Sequence, residues 1–164
     1  MKGRAKDCES AGVALTAGGA LKVDETRAAK FFQKSCELKS RNSCFNLAGL
    51  LEDGKTVPHD NAKAVALYTT ACDLGRGDAC HLMAQRLDEG DGVVKDHRKA
   101  VALLAKGCVA DDYSATACTD LRDVATKKKD AEANKALRGW KAACTSKKDA
   151  TSCTGVERTA KDAL

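Results

Sequence analysis

The stretch from Cys44 to Cys80, CFNLAGLLEDGKTVPHDNAKAVALYTTACDLGRGDAC, decides the fold, because the chain shifted by 36 residues falls back on itself. Cys36, Cys72, Cys108 and Cys144 share that step. Cys8, Cys44 and Cys80 form a second ladder, which continues slightly displaced at Cys118 and Cys153. Other residues repeat with the cysteines. Leu47-Ala48-x-x-Leu51-x-x-Gly54 returns as Met83-Ala84-x-x-Leu87-x-x-Gly90 and, earlier, as Ala11-Gly12-x-x-Leu15-x-x-Gly18. A second block, Asp60-x-x-Lys63-Ala64-x-x-Leu67-Tyr68-x-x-Ala71-Cys72, matches Asp96-x-x-Lys99-Ala100-x-x-Leu103-Leu104-x-x-Gly107-Cys108. It also matches Asp24-x-x-Arg27-Ala28-x-x-Phe31-Phe32-x-x-Ser35-Cys36. A fixed period of this length marks stacked two-helix units.

These residues resemble the Sel1-like repeat family, and within it the cysteine-rich bacterial branch of the Helicobacter cysteine-rich-protein kind. In that branch each repeat carries two cysteines about eight residues apart, as Cys36/Cys44 and Cys72/Cys80 do. The resemblance runs strongly from about residue 8 to 118 and more weakly afterwards. It implies an all-α, right-handed superhelix of helix-turn-helix repeats, similar to tetratricopeptide arrays and stapled by disulfides. The pairs expected are Cys36 with Cys44, Cys72 with Cys80, Cys108 with Cys118 and Cys144 with Cys153, each joining the end of one helix to the start of the next. Cys8 is left as the odd thiol.

Composition agrees with a stapled array. Apolar residues make up 43% of the 164, but aromatics only 4%, so the buried faces are built of Ala, Leu, Val and Cys. At roughly 25 cal/mol per Å² such a seam stabilises little per helix, and a repeat array has no central core to compensate. Zinc sites show Cys-x(2-4)-Cys pairs, and that spacing does not occur. Disulfides imply an oxidising compartment, periplasmic or extracellular. The start, MKGRAKDCES, has no apolar signal core, so an export signal is expected outside this sequence. Cys8 sits in the second-cysteine slot of a unit whose first slot falls at or before residue 1, which predicts that the array continues upstream.

Read in order, one array covers 1-164, with units at about 5-40, 41-76, 77-112 and 113-148 and a capping helix in 149-164. Helices are expected over 5–17, 24–38, 42–53, 60–74, 78–89, 96–109, 113–126 and 130–145, with a ninth over 149–161. Asp24, Asp60 and Asp96 are placed to cap the second helix of each unit. Ala28, Ala64, Ala100 and Ala136 suit its close crossing against the first. Between Cys108 and Cys118 the fourth unit gains two residues, and it then loses two before Glu132, with Lys127-Lys128-Lys129 replacing the glycine turn. The charge excess lies at the C-terminal end: residues 122–164 hold eleven basic and six acidic groups, against seventeen of each before them. A solvated cap explains it, and without interleaved aromatics beyond Trp140 a nucleic-acid groove is not supported.

Motifs with chemistry fall away on context. Gly49 to Thr56 satisfies the phosphate-loop pattern, yet it spans the end of a helix, carries Glu52 and Asp53, and runs into Val57-Pro58 instead of a new helix. No Gly-x-Ser-x-Gly elbow and no Ser-x-x-Lys pair occurs. A penicillin-binding or weakly β-lactam-hydrolysing role, which some cysteine-rich relatives suggest, is therefore kept only as the alternative. His59, His81 and His97 fall at no ligand spacing and are read as solvent-facing. Neither metal nor cofactor is expected.

What remains is surface. With Leu47-Ala48 turned inward, Phe45, Gly49 and Glu52 turn outward on the first helix of the second unit, and His81, Gln85 and Asp88 on that of the third. Phe45 either offers apolar area or packs on a neighbouring helix. Phe45, Asn46, His81, Gln85 and Asp88 are the candidate ligand-binding residues. The resulting expectation is a non-catalytic, monomeric module that binds a protein or peptide partner, one related to peptidoglycan among the candidates, with no nucleic acid and no membrane span.

Overall fold

The computed structural model describes residues 2–17, 22–108, 114–126 and 129–146. Among them are eight helices: α1 (Lys2–Ala17), α2 (Glu25–Glu37), α3 (Arg41–Asp53), α4 (Asn61–Asp73), α5 (Gly77–Glu89), α6 (His97–Cys108), α7 (Ala115–Thr126) and α8 (Ala131–Ser146). The expected ninth helix and the Cys144–Cys153 bridge lie outside the described residues. The chain forms two compact units, Met1–Leu74 and Gly75–Leu164. In the first, α1 packs on α2, α2 on α3 and α3 on α4, and α1 also touches α3. In the second, α5 packs on α6, α6 on α7 and α8, and α7 on α5 and α8.

Each second helix starts the same way because the same atoms recur. The carboxylates of Asp24, Asp60 and Asp96 accept from the backbone N–H three residues on, at 2.9, 2.9 and 3.0 Å. Their own N–H groups donate back to the carbonyls of Leu15, Leu51 and Leu87, at 2.9, 3.1 and 2.8 Å. One aspartate thus caps its helix and ties it to the end of the preceding one. Gly54 and Gly90 make the turn between, with φ of 64° and 82°, a left-handed conformation that glycine adopts without steric cost.

The fourth repeat keeps this device in shortened form. Asp130 caps α8 through Ala133 N–H at 2.8 Å and donates to Val124 O at 3.3 Å, while Lys129 takes the left-handed position with φ 52°. The cap thus falls two residues before the Glu132 slot that matches Asp96 in the 36-residue step. Ala133, fully buried, occupies the seam, and Ala136, expected there, is only partly buried. Capping of the first helices was not anticipated. Ser40 and Ser114 accept from the N–H groups of Ser43 and Ala117, each at 3.3 Å. Glu9 on α1 holds this corner of the first unit by accepting from Ser40 Oγ at 2.6 Å and Asn42 Nδ2 at 2.9 Å.

Packing is close because the repeated slots are small. Ala28, Ala64, Ala48, Ala71 and Ala79 show no exposure. In the first unit Gly12 leaves room for the Phe32 ring, which would lie 2.5 Å from a Cβ. Ser35 donates to Ala5 O across the same crossing at 2.7 Å. The equivalent slot in the second unit is Gly107, where a Cβ would stand 2.9 Å from Gly77 O and 3.1 Å from both Ala117 and Cys80.

Cys36–Cys44 and Cys108–Cys118 are disulfides with Cα separations of 4.7 and 4.8 Å. Cys72 and Cys80 are disulfide-bonded as well, and Cys8 is free and half-buried. The described bridges join the last turn of one helix to the first turn of the next, where Cα atoms fall within bridging distance.

Gly107→Ala should destabilise the protein by about 1–3 kcal/mol, since backbone and two Cβ atoms oppose the added methyl. Gly139→Ala, on α8 with nothing within 4 Å of the new methyl, should be neutral or stabilise by up to about 1 kcal/mol. Urea unfolding of both variants checks the contrast, and equal effects would contradict this packing.

Candidate functional site

The first helix of each repeat turns one face to the core and leaves the other open. On α3, Leu47 and Ala48 are buried, while Phe45, Asn46, Gly49 and Glu52 are partly exposed. Phe45 is not a free anchor. Its ring meets Tyr68 of α4 edge-on, with centroids 5.3 Å apart and planes at 68°. Tyr68 donates from its hydroxyl to Glu52 Oε2 at 2.8 Å, and burial pushes its phenol up from the ordinary value. In the first unit this face is therefore an aromatic pair closed by a carboxylate, with Asn46 beside it.

In the second unit the same face opens into a pocket of about 340 Å³ between α5, α6 and α7. Its floor is Ala84, Ala100, Val101, Leu104 and Val124, all belonging to or packed against the core of this unit. Gln85, Asp88, Glu89, Asp120, Asp123 and His97 complete the lining. Gln85 is exposed and Asp88 half-exposed, so two of the expected residues fall on one pocket. His81 does not line it. Its side chain is 15% exposed, with Nδ1 3.4 Å from Asp120 Oδ2 and out of alignment for a hydrogen bond. Phe45 and Asn46 belong to the first unit.

His97, read from sequence as solvent-facing, is instead a clamp. Nδ1 lies 2.6 Å from Asp88 Oδ1 on α5 and Nε2 lies 3.3 Å from Asp130 Oδ2, the cap of α8. The hydrogen bond to Asp88 raises the imidazole pKa above 6.5, against a smaller opposing effect of burial. Asp130 is held below 3.8, first by the backbone N–H of Ala133 and then by His97. No local pattern announces this, because the partners lie 9 and 33 residues away. His59 is likewise occupied, with Nδ1 2.9 Å from Glu52 O.

The phosphate-loop pattern is consumed by structure. Gly54 ends α3, Lys55 pairs with Asp53 at 2.8 Å, and Thr56 donates to Glu25 at 2.6 Å. Among the described residues no group of three metal-ligating side chains assembles, and no helix is long and apolar enough to cross a membrane.

The Sel1 repeat family model matches residues 11–40, 41–75 and 77–111, well over half of the chain. The chain belongs to the Sel1 repeat family. Its fold is that of the disulfide-stapled, all-α Sel1 solenoid class. Helicobacter pylori cysteine rich protein B is 30% identical, with a TM-score of 0.61 over 72% of this chain and 89% of that one. A Sel1 repeat protein from Oxalobacter formigenes is 23% identical, with a TM-score of 0.69 over 85% of this chain and 57% of that one. A protective antigen of uropathogenic Escherichia coli strains, displaying an SLR fold, is 21% identical, with a TM-score of 0.68 over 77% of this chain. The present Sel1 chain spans only 27% of that antigen's length. Comparison with curated protein sequences returns no match. Sel1 repeats generally serve as protein-interaction scaffolds, and the disulfides with the Helicobacter likeness point to an oxidising, extracytoplasmic compartment.

The His97 clamp makes stability depend on pH from both sides. A raised histidine pKa contributes stability that is complete below 6.5 and lost as pH climbs through the raised value. A lowered carboxylate contributes stability that is complete above 3.8 and lost as pH falls through the lowered value. The interaction is therefore strongest between the two. Imidazole chemical shifts followed against pH should titrate His97 above 6.5 in the wild type and lower in Asp88→Asn. An unshifted His97, or one indifferent to that substitution, would contradict the clamp.

Proposed function

We propose that this Sel1 chain is a non-catalytic, monomeric module of the periplasm or cell exterior that binds an extended segment of a partner protein on the open face of a first-in-repeat helix. The observation that carries the reading is the pocket beside α5, whose apolar floor and polar rim have the make-up of a recognition site. Its volume accommodates one side chain, and specificity for a longer segment comes from neighbouring positions. Gln85 can pair with the backbone amide and carbonyl of a bound strand. Asn46 can do so in the first unit, with the Phe45–Tyr68 pair supplying apolar area.

A partner connected with the cell wall is compatible with this reading and is not required by it. The β-lactam alternative gains no support, because its Ser-x-x-Lys nucleophile pair is absent from the sequence.

Selection of a random-peptide display library on the oxidised protein tests the proposal. Selected peptides should lose about fivefold or more in affinity for Gln85→Ala or Asn46→Ala, the scale of one buried hydrogen bond of about 1 kcal/mol, with the melting temperature nearly unchanged. Peptides indifferent to both substitutions, but sensitive to changes on α4, α6 or the C-terminal lysines, would move the site elsewhere.

A further inference from the structure

We infer that the pocket beside α5 selects one lysine or arginine side chain of the bound segment, an inference that rests on the peptide-binding reading above. Its floor is hydrocarbon, and four carboxylates, Asp88, Glu89, Asp120 and Asp123, stand around it. Cationic or protonatable groups stand against three of those carboxylates. His97 meets Asp88, Arg122 Nη2 lies 3.4 Å from Asp123 Oδ1, and His81 lies beside Asp120. The carboxylates they meet stay open to solvent. A carboxylate offers about four acceptor positions, and the side chains of Asp88, Asp120 and Asp123 remain 38, 38 and 34% exposed. Glu89 is exposed on the rim.

The two halves of the lining together exclude other occupants. An acidic side chain would meet like charge. A wholly apolar one would cover the floor but strip water from the rim carboxylates without replacing their hydrogen bonds. Lysine and arginine satisfy both halves, because their methylene stems lie along apolar surface while the charged head reaches polar surroundings. Arginine has the further option of a bidentate pair with one rim carboxylate.

The test uses display-selected peptides whose binding to the oxidised protein is abolished by Gln85→Trp, a bulky ring at an exposed rim position. These should share a lysine or arginine. Replacing that residue by norleucine, which keeps the stem and removes the charge, should weaken binding tenfold or more. Glu89→Gln, which disturbs no described ion pair, should weaken the basic peptide several-fold and the norleucine peptide little. Asp120→Asn should behave likewise, and 0.5 M salt should reduce the difference between the two peptides. Pocket-dependent peptides that bind equally well with norleucine would overturn the cation preference and leave peptide binding standing. A selection yielding no pocket-dependent peptide would overturn the cation preference, and one whose peptides are indifferent to Asn46→Ala as well would overturn both.

Discussion

Helices in this protein approach one another through alanine, glycine, serine and cysteine, and the rest of the structure depends on that closeness. Ala28 and Ala64 are wholly buried in their seams, and the slot of Ser35 and Gly107 faces the carbonyls of Ala5 and Gly77. Short interhelical distances bring the end of one helix and the start of the next within disulfide range. They also allow one aspartate per repeat to cap a helix and reach the carbonyl of the previous one. The cost is area. A methyl group buries little apolar surface, so each seam contributes less than a leucine-rich interface would, and the cysteine bridges, each worth about 2.5 kcal/mol on the chain-entropy model, offset the shortfall.

The repeated frame was legible because its signals are local. Asp24, Asp60 and Asp96 stand at fixed distances from the helices they cap, and the cysteine spacing marks where successive helices meet. The fourth repeat shows how far such signals reach. Its insertion and deletion were visible in the sequence, and the helices persisted, but the cap falls at Asp130 instead of the Glu132 slot, with Ala133 buried and Ala136 only partly so. Register counting does not contain that shift. Lys129 in a left-handed conformation replaces a glycine with no compositional sign that it will.

The site was legible only by halves. Counting helical faces placed Gln85 and Asp88 outward, and both line the pocket. The floor from α6 and α7, and Asp120 and Asp123 on the rim, come from helices whose approach to α5 no local pattern encodes. His97 was misread for the same reason: its partners are near in space and distant in sequence, so an isolated histidine in a first helical turn looked solvent-facing. Phe45 had two open readings, and Tyr68, on the second helix of the same repeat, settles it as a packed ring.

Thin seams of this kind still give the pocket beside α5 a firm frame. The pocket floor is made of residues that also hold the unit together, so its shape is set by the packing of α5, α6 and α7, and the recognition proposed above falls to rim side chains such as Gln85 and Glu89. This account depends on the staples supplying what the alanine seams lack. Urea unfolding of the oxidised protein against the same protein held in reductant tests that claim most directly. The account predicts a fall of several kcal/mol, on the order of 2.5 for each bridge lost, together with loss of the cooperative transition at physiological temperature. An unfolding midpoint that reduction leaves unchanged would show that the seams suffice alone, and would contradict it.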